Sequence, residues 1–279
     1  MKTNSTRRTG RRYRYLLGDS VREAARLRAQ AQLWDPTAAA LFRRLGVGRS
    51  WNVLEVGPGQ GSLHLMLRSL VHGPVDAVEQ SPAFCASLKL LCARDRLGPG
   101  RIWEAALLDA PLPRSQYDLV FARWVFLFLP DPEAHLRKLV RTLRPGGLLA
   151  IEDYHRETFA LIPRPPEWRD FLAGERACFE AQGADVSMGG RLPELFRGVG
   201  LEVTDVLPNI KAGHPGSPVW NWLSAYFLGL MGRYAAFRPF SKAKARRLRR
   251  WWLAAARKRT ALMIAPTVLD VVGRKRRRS

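Results

Sequence analysis

The chain has 279 residues, of which 47% are hydrophobic and 25% charged, a composition typical of folded proteins that excludes wholesale disorder. Its net charge of +22 lies at the two ends, because residues 1–14 carry six Lys/Arg and no acid, and residues 233–279 carry sixteen Lys/Arg against one Asp. The three cysteines form no C-x-x-C pair, and no apolar run is long enough for a transmembrane helix or a signal peptide, so a cytoplasmic protein is predicted.

Residues 1–14 are predicted to form a basic disordered tail, followed by a helical lead-in over residues 15–50. Asp19 is an N-cap candidate for a first helix, because its side chain can accept hydrogen bonds from the main chain at the helix start. Pro36, after Asp35, suits the first turn of a second helix, where a missing N–H costs nothing. We therefore expect two helices ahead of the main domain.

Residues 51–207 alternate short apolar runs with amphipathic segments. The predicted elements are, in order, a strand at Trp51–Val56, a helix at Ser62–Val71, a strand at Pro74–Val78, a helix at Pro82–Arg94, strands at Ile102–Ala105 and Asp118–Phe121, a helix at Pro132–Leu143, a turn at Arg144–Gly147, a strand at Leu148–Glu152, helices at Glu167–Ala181 and Leu192–Val199, and a strand at Leu201–Val206. Strands and helices alternating at this spacing predict βαβ units and a parallel sheet.

Residues 208–265 are rich in Trp, Phe, Tyr and Arg and separate that strand from a last one at Thr267–Val272. A segment this long needs its own structure, so a helical substrate cap is predicted, followed by the last strand and a basic tail over residues 266–279. The expected fold is therefore α/β: a Rossmann-like, doubly wound seven-stranded sheet with N-terminal helices and a helical cap inserted between the last two strands.

Within the cap, Ser241–Ile264 is predicted to be an amphipathic helix. One face carries Leu248, Trp251, Trp252, Ala255, Leu262 and Met263, and the other carries Arg246, Arg250, Arg257 and Lys258. The face with tryptophans either packs on the domain, or it anchors a basic helix at an anionic membrane together with the tail Arg274–Arg278.

The sequence V-L-E-V-G-P-G-Q-G-S ends the first strand and opens a helix, which is the context of a nucleotide-binding glycine loop. Gly57, Gly59 and Gly61 allow a sharp turn and a close approach of a ligand to the backbone. The spacing lacks the third glycine of the dinucleotide fingerprint, which favours S-adenosylmethionine over a nicotinamide cofactor. Glu79 lies eighteen residues beyond Gly61, at the end of the second strand, where a carboxylate can accept both ribose hydroxyls.

Residues 51–153 resemble the core of a class I S-adenosylmethionine-dependent methyltransferase, of the type found in ubiquinone and menaquinone biosynthesis and among many small-molecule methyltransferases. The resemblance lies in E-V-G-P-G-Q-G, Glu79, L-L-D-A-P-L-P, Y-D-L-V-F-A-R-W-V-F-L-F-L-P-D-P and L-R-P-G-G-L-L-A-I-E-D. It implies that Asp109 hydrogen-bonds the adenine amino group with Ala110 beside it, and that Arg123 and Trp124 border the methionine end. Glu55 and Gln80, inside the matching motifs, complete the expected cofactor residues.

The segment Y-L-L-G-D-S-V-R-E-A-A-R-L-R-A-Q also resembles a lead-in of bacterial members, in which a tyrosine and an arginine close over the cofactor. On that basis Tyr15 and Arg26 are candidate cofactor residues. The alternative is a packed aromatic ring and a solvated helical arginine. Many relatives have a His in the region of Phe126–Phe128, which this chain lacks, so no general base is expected there.

The sulfonium is a strong leaving group, so methyl transfer needs mainly an aligned nucleophile and a dry pocket. If the acceptor is a hydroxyl, the candidate bases are Asp153 and His155, which follow the fifth strand at the carboxyl edge of the sheet. Ordinary loop residues are the alternative for both. No histidine has a partner at metal spacing, so no metal site is predicted.

The sequence thus predicts transfer of a methyl group from S-adenosylmethionine to an O or N atom of a small, aromatic or lipophilic metabolite. One alternative is an RNA-modifying methyltransferase that uses the basic termini, although the fourth strand lacks the D/N-P-P-aromatic motif. Another is a lipid or quinone methyltransferase at a membrane surface, and a third is a non-enzymatic adaptor. The expected partners are a small-molecule substrate and, through the basic termini, a weakly bound anionic membrane or nucleic acid; no obligate protein partner is identified.

Overall fold

The computed structural model of the chain describes residues 21–94 and 100–277. The strands are β1 (Val53–Val56), β2 (Val75–Glu79), β3 (Ile102–Glu104), β4 (Tyr117–Arg123), β5 (Leu143–His155), β6 (Ala160–Ile162), β7 (Leu201–Asn209), β8 (Ala212–Gly213), β9 (Leu262–Ile264) and β10 (Thr267–Lys275). The helices are α1 (Val21–Arg44), α2 (Ser62–Leu70), α3 (Pro82–Arg94), α4 (Pro132–Thr142), α5 (Trp168–Glu180), α6 (Met188–Gly198), α7 (Pro218–Tyr234) and α8 (Lys242–Ala255).

Seven strands form the central sheet in the order β3-β2-β1-β4-β5-β10-β7. Strands β1 to β5 are parallel, and β10 runs antiparallel to both β5 and β7. The predicted seven-stranded α/β sheet is therefore confirmed. Helices α7 and α8 lie between β7 and β10 in the chain, as the predicted insertion requires.

The strands of the parallel half are apolar because both faces of this sheet are covered. All four residues of β1 are buried, and alternate side chains enter two different layers. Leu54 and Val120 belong to a large core shared with the cap, and Val53 and Phe121 pack with α1 and α2. The carboxyl ends of β1 to β4 consequently meet at one edge beneath the cap.

The N-terminal segment differs from the expectation of two helices. Helix α1 is continuous and contains Pro36. A proline inside a helix removes one main-chain hydrogen bond, but Trp34, Ala38 and Phe42 bury one face of α1, and this packing holds both halves on one axis. Asp19, the N-cap candidate, lies outside the described residues.

Strand β5 begins earlier than predicted. The expected turn at Arg144–Gly147 lies within it, at an irregularity where Tyr117 of β4 pairs with Leu143 and Leu119 pairs with Leu148. The extra residues bulge out of the ladder, so both sides of the bulge still pair with β4.

Two strands of the cap, β8 and β9, join β6 in a small sheet that the sequence did not predict, with the order β6-β9-β8. The prediction that Leu262 and Met263 lie on a helix was wrong. Helix α8 ends at Ala255, and these two residues form β9, which pairs with β6 on one side. Ala212 and Gly213 pair with β9 on the other side, so the β9 backbone finds partners that no helix periodicity reveals.

Strand β10 runs the length of the sheet. Thr267 pairs with His155 at the carboxyl edge, and Arg274 pairs with Leu148 toward the amino edge, a span of roughly 25 Å at ~3.3 Å per residue. The basic residues that follow therefore lie at the edge opposite the cap. A membrane surface formed jointly by α8 and the tail Arg274–Arg278 stays a prediction, and Arg278 lies outside the described residues. Among the described helices, none is long and apolar enough to cross a membrane.

Candidate active site

The glycine loop connects β1 to α2 at the carboxyl edge of the sheet. Gly57, Gly59 and Gly61 have φ angles of 67°, 54° and 83°, all in the left-handed region that disfavours a side chain. A Cβ atom on Gly57 would lie 2.6 Å from Cγ2 of Val125, whereas a Cβ on Gly59 would meet no atom within 4 Å. Gly57 therefore permits packing within the protein, and Gly59 leaves its backbone open to a ligand.

Glu79 holds this loop from the end of β2. Its Oε1 accepts the N–H of Ser81 at 2.8 Å, and its Oε2 accepts the N–H of Gly59 at 3.3 Å. Burial raises the pKa of Glu79 despite these main-chain hydrogen bonds. The adjacent Gln80 is exposed. The carboxylate thus joins the glycine loop at the position where the sequence predicts ribose binding.

Glu55 lies within β1 and faces away from solvent. Its Oε2 is 3.0 Å from Nδ1 of His64 on α2, and both side chains are buried. The pair ties the start of α2 to β1 directly behind the glycine loop. His64 is thus a buried structural partner of Glu55.

Asp109 and Ala110 follow β3, close to the end of β2. Asp109 is exposed in a turn, where its N–H donates to the carbonyl of Ala106 at 2.9 Å, and Ala110 is buried. The N–H of Ala105 donates to the carbonyl of Glu79 at 3.0 Å, which places this turn next to the ribose position.

Arg123 ends β4 and fastens the lead-in helix to the sheet. Its Nη2 lies 2.6 Å from Oδ1 of Asp35 on α1, and its Nε lies 3.8 Å from Oε2 of Glu152. Burial raises the pKa of Glu152 to about 8, and the charge of Arg123 opposes this shift. Asp35 is a site residue that sequence reasoning missed, because only the fold brings α1 to β4.

Trp124 follows directly and has a left-handed backbone, with a φ angle of 53°. Its ring stacks on Tyr154, with centroids 5.5 Å apart, and meets the edge of Trp34 at 6.0 Å. Trp34 in turn contacts Trp222 of α7 at 6.1 Å. Of this aromatic layer, the sequence singled out only Trp124; the aromatic richness of the cap was a signal for Trp222, and nothing in the sequence pointed to Trp34 or Tyr154.

Asp153 and His155 face away from that layer. Asp153 is fully buried, and its two carboxylate oxygens accept the N–H groups of Leu127 at 2.9 Å and Tyr154 at 2.8 Å. Burial raises the pKa of Asp153 to about 7. His155 packs against Gly190 of α6 and borders a polar groove of about 340 Å³. Because side chains alternate along a strand, the structure does not bring these candidate bases together with Trp124 and Glu79.

Arg26 belongs to the lead-in helix α1, and its side chain reaches the cap. Its Nη1 donates to Oε1 of Gln30 at 2.5 Å, and its guanidinium carbon lies 5.5 Å from the ring centre of Tyr226 on α7. Tyr15 lies outside the described residues. Within the described ranges, no group of three or more His, Cys, Asp or Glu could hold a metal ion, and the three cysteines are buried and form no disulfide there.

Known proteins with similar sequences show the family to which this chain belongs. A sequence model of the methyltransferase domain matches residues 54–151. The chain is 34% identical over 145 residues to trans-aconitate 2-methyltransferase of Azoarcus sp. (strain BH72), covering 50% of this chain and about half, 55%, of that protein. It is 30% identical over 158 residues to the uncharacterized methyltransferase YdaC of Bacillus subtilis (strain 168), covering 55% of this chain and 84% of that protein. The chain belongs to the methyltransferase-domain family.

Solved structures support the same fold for this chain. The crystal structure of the [4+2]-cyclase SpnF superposes with a TM-score of 0.59 at 17% identity, over 88% of this chain and 83% of that chain. Other solved proteins of this fold are S-adenosylmethionine-dependent methyltransferases or hold that cofactor. Together with the methyltransferase-domain match, this fold confirms the class I resemblance and S-adenosylmethionine as the cofactor.

Proposed function

We propose that this methyltransferase transfers a methyl group from S-adenosylmethionine to an O or N atom of a small aromatic or lipophilic metabolite in the cytoplasm. Residues 15–50 would serve as the lead-in, residues 51–207 as the cofactor-binding core and residues 208–265 as the substrate cap. The observation that carries the proposal is the aromatic layer of Trp34, Trp124 and Trp222 beside the glycine loop, since apolar walls with few polar groups are typical of sites for such molecules.

When bound, S-adenosylmethionine supplies a methyl group activated by a positively charged sulfur. The protein's residues fit this cofactor in two respects: the backbone of Gly59 is open, and Glu79 stands beside it with a carboxylate suited to ribose hydroxyls. Asp109 would receive the adenine. Nη1 of Arg123 is buried without a hydrogen-bond partner among the described residues, so it can donate to an acceptor at the methionine end.

We infer that catalysis relies on alignment and exclusion of water rather than on a dedicated base. Asp153 would then be a positioning residue, because its two oxygens fix the main chain at Leu127 and Tyr154. A base role for Asp153 or His155 stays a prediction that requires a different approach of the substrate, from the side of α6.

A second candidate property is weak contact of α8 with an anionic membrane. Leu248 and Trp252 lie on the buried face of α8. Leu253, which is 49% exposed, lies on another face, one helical turn after Arg249 and Arg250. Neither arginine forms an ion pair with the described residues. An exposed leucine within a cationic face favours a bilayer over RNA, because phosphate binding alone does not require it.

The primary test uses isotopically labelled S-adenosylmethionine and fractionated cell extract. The label is expected in small organic-soluble molecules. Label recovered only in RNA would contradict the proposed acceptor class, and absence of transfer to every fraction would contradict the methyltransferase activity itself. The Glu79→Ala variant, whose cofactor binding should be lost, is the control for dependence on the site.

A further inference from the structure

Three tryptophans from distant parts of the chain form one cluster at the carboxyl edge of β4. Trp34 belongs to α1, Trp124 follows β4 and Trp222 belongs to α7, and the ring of Trp34 contacts the other two. Each of the three indole N–H groups is buried and has no hydrogen-bond acceptor among the described residues. By contrast, the indole N–H of Trp252 donates to Oγ of Ser224 at 2.8 Å.

Buried donors without acceptors destabilise a folded protein, because each loses its hydrogen bond to water and gains none in return. Phenylalanine at these positions would fill a core without that cost. Three such donors on neighbouring rings therefore indicate a place where an acceptor is supplied from outside the described residues.

The backbone of Trp124 gives a second, independent indication. Its left-handed φ angle of 53° is uncommon for a residue with a side chain, and such strain is concentrated at functional sites. The surroundings enforce it: the N–H of Trp124 donates to the carbonyl of Glu152 at 2.9 Å, and its ring is stacked on Tyr154. The next residue, Val125, abuts Gly57, so the cluster adjoins the cofactor loop.

Lys211 adds a positive charge to the same cluster. It lies between β7 and β8, is half-buried, and its Nζ is 5.0 Å from the ring centre of Trp34. Within the described ranges Lys211 forms no ion pair, and the carboxylates of Asp35 and Glu152 are paired with Arg123. Burial lowers the pKa of Lys211, as expected for a cation without a counter-ion.

We propose that Trp34, Trp124, Trp222 and Lys211 bind the carboxylate of an aromatic acid, and that the methyl acceptor of this enzyme belongs to that class. The indole faces cover the aromatic body, the indole N–H groups donate to the carboxylate oxygens, and Lys211 neutralises the charge. This inference rests on the proposed function, since it names the acceptor class of the same site.

The experiment uses the full chain labelled with ¹⁵N at its tryptophans, so that the indole N–H groups can be followed by NMR. The probes are benzoate, 2-naphthoate and indole-3-acetate, each paired with its primary amide. Trp34→Phe and Trp222→Phe identify the two resonances, and each also removes one donor while keeping an aromatic ring. We expect the carboxylates to shift these resonances and the matched amides to bind at least about tenfold more weakly.

Lys211→Met is the decisive variant, because its half-exposed position tolerates the change without loss of the fold. It should abolish the preference for carboxylates, whereas Lys242→Met, on the exposed face of α8, should leave that preference unchanged. Equal binding of acids and amides, a preference that survives Lys211→Met, or no shift by any probe would overturn the inference.

Cofactor binding, measured by calorimetry on the same proteins, separates this inference from the proposed function. The Lys211→Met variant should retain the affinity for S-adenosylmethionine. If the unmodified chain binds S-adenosylmethionine and shows no carboxylate preference, only the inference fails. If it does not bind the cofactor, the proposed function fails.

Discussion

Substituting alanine at Gly57 and at Gly59 should produce two different defects. Both glycines have left-handed backbones, with φ angles of 67° and 54°, and a side chain there costs about 1–2 kcal/mol. Gly→Ala also reduces the entropy of the unfolded chain, which stabilises the folded state by roughly 0.4–1 kcal/mol and offsets part of this cost. The net loss of stability for Gly59→Ala is therefore about 1 kcal/mol, since its Cβ meets no atom within 4 Å.

Gly57→Ala has an additional cost, because its Cβ would lie 2.6 Å from Cγ2 of Val125. Overpacking of this kind costs roughly 1–3 kcal/mol, so the total should be about 2–4 kcal/mol. In a Val125→Ala background the clash is absent, and Gly57→Ala should then cost no more than Gly59→Ala does. This coupling is the expected result of a double-mutant cycle.

Urea denaturation measures the stability of these variants, and calorimetry measures their affinity for S-adenosylmethionine. Gly59→Ala should lose at least about tenfold in affinity with a small loss of stability, because its methyl group occupies the space of the ligand. Unchanged cofactor affinity in Gly59→Ala, together with equal stability losses at the two glycines, would refute the division of roles within the loop.

Three further predictions follow from buried and charged groups. Because burial raises the pKa of Glu79, affinity for S-adenosylmethionine should fall on acidification, and the fall should begin at a higher pH than for an exposed glutamate. Calorimetry across pH measures this affinity. The Glu79→Gln variant should bind the cofactor weakly at every pH. The Asp153 carboxyl, with a pKa raised to about 7, holds a proton in the folded state that the unfolded state releases near pH 4, so stability should fall as pH rises between these values. Asp153→Asn should flatten that dependence in denaturation experiments, and an unchanged dependence in this variant would contradict the assignment to Asp153. The double variant Arg249→Gln/Arg250→Gln should reduce sedimentation of the protein with phosphatidylserine vesicles. The double variant Arg276→Gln/Arg277→Gln removes the same charge after β10, at the opposite edge of the sheet, and should not reduce it. Equal effects of the two double variants would contradict a specific membrane surface on α8.

The parts of the site that sequence reasoning located depend on local backbone chemistry. Gly57, Gly59 and Glu79 follow apolar strands in a fixed order, and both the left-handed turns and the strand end are visible in the neighbouring residues. The pairing of Arg123 with Asp35 was not predictable, because 88 residues separate them and neither has a periodic signal. The tryptophan cluster was not predictable for the same reason, since α1, β4 and α7 meet only in the folded chain.

Tertiary packing also overrides the local secondary-structure preferences of two segments. Pro36 predicts a break between two helices, but buried side chains on both sides of it keep α1 in one piece. Similarly, β9 follows a helix and is only three residues long, so its strand character depends on partners far away in sequence.

The cap enters and leaves the sheet through β7 and β10, which are neighbours at the side away from the cofactor loop. A single contiguous stretch of chain can therefore be exchanged between relatives without altering β1, β2 or the loop that contains Gly59. The segment that binds the methyl acceptor can therefore evolve separately from the segment that binds the methyl donor. Lineages can keep the methyl donor and acquire new acceptors by recombining one segment, provided that α1 still presents a compatible residue at the position of Trp34.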